Sequence, residues 1–157
     1  MPDGLYERDA LAWAEHQADL LRRLAMGERL NEAVDWPNVI EEVQDVGLSE
    51  LRACQSLLQQ VMTHLLKLSA WPDSRAAVHW RDEAETFLDD AGRRFTPSMR
   101  QRIDLNDLYI AALRRVRSKT DDSGVPRPLP EICPFALDDL LTSSADIGTL
   151  VLKLGSL

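Results

Sequence analysis

The sequence predicts an all-α protein, an antiparallel up-down bundle of four main helices with a short C-terminal helix and tail. Three observations predict it. Residues 35–70 keep a helical apolar period with no proline past the first turn, which at 1.5 Å per residue is one helix on the order of 50 Å long. Three shorter segments repeat apolar residues at spacings of three and four. The connections are short, and short connections place helices antiparallel beside one another. Residues 1–142 are expected to form a single bundle domain, and residues 143–157 a tail docked on the bundle or on a partner subunit.

The first helix is expected over residues 5–26. Tyr6, Ala10, Trp13, Leu20 and Leu24 share a stripe in which Gln17 is the lone polar member. Gly27 offers a stop, because glycine accepts the left-handed conformation that ends helices. Asp35-Trp36-Pro37 then opens the long helix: aspartate caps, and proline loses no hydrogen bond in a first turn. On that helix Ile40, Val43, Gly47, Cys54, Leu57, Leu58, Val61, Leu65 and Leu68 share one face. Glu41, Asp45, Arg52, Ser56, Gln59 and Thr63 share the other. Gly47 costs a helix interior about 1 kcal/mol against alanine, which a close helix crossing there would justify.

The Trp71-Pro72-Asp73-Ser74 turn ends the long helix, and Asp73 or Ser74 can cap the next. Ala77, Trp80, Ala84, Phe87, Leu88 and Ala91 form its inner stripe, with Gly92 as the expected stop. Thr96-Pro97-Ser98 repeats the cap-and-proline pattern and is expected to open a fourth helix ending near Arg117. Met99, Ile103, Tyr109, Ala112, Leu113 and Val116 face inward. Residues 121–130 read as loop, rich in proline and glycine. Pro134 can open a short helix to Leu141. The tail carries Leu150, Val151, Leu152, Leu154 and Leu157, as helix or strand.

Composition narrows the function classes. The 157 residues suit one domain with a sizeable core. A formal charge of -8 disfavours nucleic-acid backbones and anionic membranes, so neither is expected as a partner. Two cysteines, Cys54 and Cys133, make a disulfide framework unexpected and suit a reduced, cytoplasmic protein. The first residues lack an apolar signal core, and no run of 18 apolar residues exists. Phosphate-binding glycine loops, serine nucleophile elbows and paired Cys-x-x-Cys motifs are absent.

Taken in order, several pieces resemble one family: YERDALAWAEHQADLLR, IEEVQDVGLSE, HLLKL before a tryptophan-containing turn, HW, TPSM and PEICPFALDDLL. Together, over residues 6–141, the chain resembles the prokaryotic domain-of-unknown-function family 29. The resemblance implies an all-helical cytosolic bacterial protein and no particular reaction. The family usually carries a small residue where this chain has His79, so a role for His79 would be particular to this chain.

Two sets of polar residues call for a closer look. Glu50 lies roughly 30° from the centre of the long apolar face, and His64 roughly 70° from it. A carboxylate turned inward must find a donor or take up a proton, so Glu50 is expected to be buried, with Trp13 through its indole N–H or His16 as partner. That reads as a hydrogen bond fixing helix register more readily than as a general base. His64 and His79 are nearly equidistant from Pro72, so a hairpin centred there brings them to one level, and Glu83 lies one turn beyond His79. Two imidazoles and a carboxylate suit zinc or another divalent cation. Against this, a histidine beside an apolar face commonly packs with one nitrogen bonded to a carbonyl or carboxylate. Glu50 and His64 are about 21 Å apart along the axis and cannot share an ion. The four tryptophans read as core and corner packing, Trp36 and Trp71 bracketing the long helix. Neither cysteine has the basic neighbour in sequence that would make it a nucleophile.

The expected function is a non-enzymatic helical interaction module with a protein partner, as a homodimer or as the acidic partner of another protein. Antitoxin-like neutralisation of a basic partner would fit the charge. No catalytic residue and no cofactor are expected. The alternative is a metal-dependent or acid–base enzyme with a small polar site between helices.

Overall fold

The structure, a computed structural model, describes residues 4–142 and 144–155. Among these it is all-helical: α1 (Leu5–Arg8), α2 (Ala10–Ala25), α3 (Trp36–Ala70), α4 (Ala77–Arg94), α5 (Leu105–Arg117), α6 (Leu137–Leu141) and α7 (Ile147–Gly155), with a 3₁₀ turn at Pro97–Met99. The chain divides into two compact units, Met1–Ser49 and Glu50–Leu157. That division falls within α3.

The first unit holds α1, α2 and the start of α3. The single helix expected over 5–26 is interrupted at Asp9, which leaves helical geometry and accepts the Ala12 backbone N–H at 3.0 Å. An aspartate competes for local backbone donors, and that suits a cap better than a helix interior. Gln17, the polar member of the stripe, is buried because its side-chain oxygen accepts the Asp35 N–H at 2.8 Å. Asp35 accepts hydrogen bonds from the Asn38 amide at 2.8 Å and the Trp13 indole at 3.0 Å. Tyr6 donates to Glu42 at 2.6 Å and packs edge-on against Trp13, centroids 4.9 Å apart. The start of α3 is thus tied to α1 and α2 by polar side chains.

The second unit holds the apolar core. Leu58, Val61, Met62, Leu65 and Leu66 of α3 are fully buried, with Ala84 and Ala91 of α4 and Tyr109 and Ala112 of α5. Paired contacts run in opposite directions along α3 and α4: Cys54 with Ala91, His64 with Glu83. They fix an antiparallel hairpin centred near Pro72. Gly92 does not stop α4, which continues to Arg94 and ends where Phe95 turns extended. The proline at 97 opens only the 3₁₀ turn; α5 begins at Leu105, where Asp104 caps the Asp107 N–H. The connection from α5 to α6 folds back on the hairpin turn: Trp71 donates to the Gly124 carbonyl at 3.0 Å, Ser74 to Asp121 at 2.9 Å, and the Arg127 N–H to the Ala70 carbonyl at 2.9 Å. The tail is helical. Ile147, Leu150 and Leu154 of α7 join the core of this unit, while Leu157 lies outside the described residues. Among the described residues no helix is long and apolar enough to cross a membrane.

Candidate functional site

α3 is unbroken for 35 residues. Its apolar face does not have one environment. From Cys54 onward it is covered, whereas Trp36, Ile40, Val43 and Val46 are exposed at 40, 56, 69 and 69%. Ile40 and Val43, expected inward, are therefore on the surface. Gly47, expected under a helix crossing, is open: a Cβ there would meet nothing within 4 Å. Periodicity identifies residues that share a face; it carries no information on how far a covering element extends.

Glu50 marks the change. It is not buried but 54% exposed, and it pairs with Arg94 in the last turn of α4 at 3.1 Å. The reason is the length of α4, which ends at this level, so the carboxylate meets an arginine at a helix C-terminus, where the helix dipole favours a cation. The donors expected for Glu50 are placed otherwise: the buried Trp13 indole serves Asp35, and His16 is exposed. The Asn38 side chain, joined by the Trp13 indole and the Asn38 backbone N–H, holds the Asp35 carboxyl below the usual carboxylate range.

The band's surroundings are acidic. Residues 1–49 carry eleven Asp and Glu against four Arg, a formal -7. Residues 50–157 carry fifteen acidic and fourteen basic residues, so almost the whole charge of the chain lies in the first unit. No lysine or arginine occurs from Leu30 to Leu51.

The histidine pair lies in the second unit. His64, with its side chain 7% exposed, donates Nδ1–H to the Gln60 carbonyl at 2.8 Å, since a carbonyl can only accept. Its Nε2 lies 2.5 Å from Glu83 Oε2, and the other oxygen of Glu83 lies 3.2 Å from Nε2 of His79, which is 69% exposed. The Phe87 ring, 5.4 Å away, covers the His64 imidazole. Glu83 thus bridges the two histidines, one oxygen to each. Among the described residues, no group of three or more His, Cys, Asp or Glu is placed to hold a metal ion. Chemically the cluster is a buried imidazole linked through a half-exposed carboxylate to a surface imidazole.

Clefts lie elsewhere in this unit. One of about 390 Å³ is lined by Arg52, Gln55, Gln59 and Arg115, and one of about 400 Å³ by Asp73, Arg75, Asp121 and Ser123. Neither includes His64, Glu83 or His79. The cysteines have the opposite of nucleophilic surroundings: burial pushes the Cys54 and Cys133 thiols up.

The fold and these contacts define an all-helical protein without a recognisable catalytic constellation among the described residues. An alpha-helical protein of unknown function from Rhodospirillum rubrum ATCC 11170 has a similar solved structure, with TM-score 0.72 and 27% identity over 95% of this chain and 96% of that one. The chain belongs to the family described as domain of unknown function DUF29, which it matches over residues 5–145. No curated protein matches it. The exposed band was missed in the sequence, although its signal was there: a helical apolar stripe running through a segment without a single basic residue.

Proposed function

We propose that this chain is a non-enzymatic helical interaction module that acts as the acidic partner of another protein. One observation carries the proposal, the bare apolar band at Trp36, Ile40, Val43 and Val46 on the acidic unit. Scattered apolar residues on a surface need no explanation, but a contiguous patch marks a contact site. Four large side chains over three turns of one helix form such a patch. Two cysteines without a disulfide accord with a cytoplasmic setting.

The test is site-specific photocross-linking in the native cell. A photoreactive residue at position 43 should give one discrete adduct, and Ile40→Ser should suppress it. The same residue at position 78, where Val78 is equally exposed in the second unit, should give none. An adduct of twice the chain mass would assign the face to self-association. No adduct at position 43 would overturn the proposal. The alternative of an acid–base enzyme draws its support from the His64–Glu83–His79 link; His64→Gln and Glu83→Gln should leave the position-43 adduct intact.

A further inference from the structure

We propose that the cleft between α3 and α5 binds a phosphate ester of a sugar or other polyol, its phosphate held between Arg52 and Arg115. The cleft, of about 390 Å³, lies wholly within the second unit and shares no residue with the apolar band or the histidine pair. Arg52, Ser56 and Gln59 follow one another at spacings of four and three, so α3 sets them on one face. Leu108 and Arg115, seven residues apart, likewise share a face of α5 and form the wall on that helix. Among the described residues no carboxylate lines the cleft, and the side chains of Arg52, Ser56, Gln59, Gln60 and Arg115 have no hydrogen-bond or ion-pair partner. Elsewhere in this acidic chain, Arg23, Arg94, Arg100 and Arg117 each hold a carboxylate. Two arginines left unpaired on the walls of one cleft therefore stand out.

The donors select the ligand. A guanidinium does not shed its proton, so only an anion brought to the cleft neutralises this pair. Positive charge is also in surplus beside Arg115. Burial pushes the Lys67 ammonium below its ordinary value, and Lys119 and Arg115 push it the same way, against the opposing Glu83. A carboxylate has two oxygens in one plane, which a single arginine fork can occupy. A phosphate ester offers three oxygens in a tetrahedral array and can accept from two forks that approach from different helices. The rest of the lining selects the body of the ligand. The Gln59 and Gln60 amides and the Ser56 hydroxyl both donate and accept, as the hydroxyls of a sugar do. Among the described lining residues Leu108 alone is apolar and none is aromatic, so a nucleobase finds no ring to stack on.

Calorimetric titration of the intact protein with glucose 6-phosphate, ribose 5-phosphate and glycerol 3-phosphate tests this. At least one should bind at a single site per chain, at least about tenfold more tightly than inorganic phosphate. Glucose should give no binding heat, and adenosine monophosphate should gain nothing over ribose 5-phosphate. Arg52→Gln and Arg115→Gln should each weaken binding at least about tenfold, since each removes hydrogen bonds to a charged group. Both side chains are exposed, so thermal unfolding should stay nearly unchanged. Arg52→Lys keeps the charge but loses the fork and should weaken binding as well. Arg114→Gln, one residue from Arg115 and outside the lining, should leave binding intact. Failure of all three esters to bind overturns the proposal, as does affinity unmoved by Arg52→Gln and Arg115→Gln. Full affinity in Arg52→Lys overturns it too, by reducing the attraction to diffuse charge. Inorganic phosphate binding as tightly as the esters, or adenosine monophosphate binding more tightly than ribose 5-phosphate, overturns the polyol assignment.

Discussion

Leu58 and Val43 lie on the same face of the same helix, yet Leu58 is fully buried and Val43 is 69% exposed. Their local sequences are equally helical. What separates them is the neighbour. Leu58 sits in the unit where α4, α5 and α7 contribute apolar stripes to one core. Val43 sits in a unit whose start of α3 is held to α1 and α2 through Tyr6, Trp13, Gln17 and Asp35, mostly by hydrogen bonds. One half of the helix uses its apolar face to hold the fold together. The other half anchors itself through polar groups and leaves that face bare. An unbroken hydrophobic period is therefore not evidence of an unbroken core.

The largest expected effect lies in that contrast. Leu58→Ala removes side-chain volume from a closed core and should cost about 2–5 kcal/mol in denaturant unfolding. Val43→Ala should cost less than about 0.5 kcal/mol. Comparable losses at the two positions would mean that the band is covered in the free protein.

Next is Asp35→Ala, which strips acceptors from the Trp13 indole and the Asn38 amide and should cost about 1–2 kcal/mol. This effect is pH-dependent with a definite sign. The Asp35 carboxyl titrates lower when folded than when unfolded. Its contribution is therefore present above the unfolded value of about 3.9 and is lost as pH falls through the folded one. The gap between wild type and variant should close on acidification below about pH 4. A gap constant down to pH 2 would show that the carboxylate charge is not what anchors α3.

Gly47→Ala should stabilise by about 1 kcal/mol, since the helix gains propensity and the Cβ meets open space. A destabilised variant would reveal a close neighbour of Gly47.

The smallest effect belongs to Glu50. Its partner Arg94 is itself 46% exposed, so Glu50→Ala should cost less than about 1 kcal/mol, as surface ion pairs do. A larger loss would restore a buried role and extend the covered part of α3 past its apparent end.

Much of the fold was legible. The 35-residue α3 follows from its period and from a proline confined to its first turn. Counting outward from Pro72 brought His64, His79 and Glu83 to one end of the hairpin, because an antiparallel hairpin turns sequence distance into height, but it set His64 level with His79, whereas His64 meets Glu83 and Glu83 reaches His79 with its other oxygen. The cap at Asp9, the early end of the 3₁₀ turn after Pro97 and the continuation of α4 through Gly92 were not legible. Each is a competition between two weak local preferences that packing settles.

By itself, the sequence determined the helical class, the continuity of α3, the inward stripes of α4 and α5 and the acidity concentrated before Ser49. These depend on neighbours a few residues apart and on composition, both written along the chain. Only the tertiary structure decided that α4 ends level with Glu50, that Trp13 serves Asp35, that Glu83 stands between two histidines and that Ile40 and Val43 face solvent. Those facts depend on where a second element stops in space. Burial energy comes from surfaces that meet, and a periodic stripe states only that a surface is ready to be met.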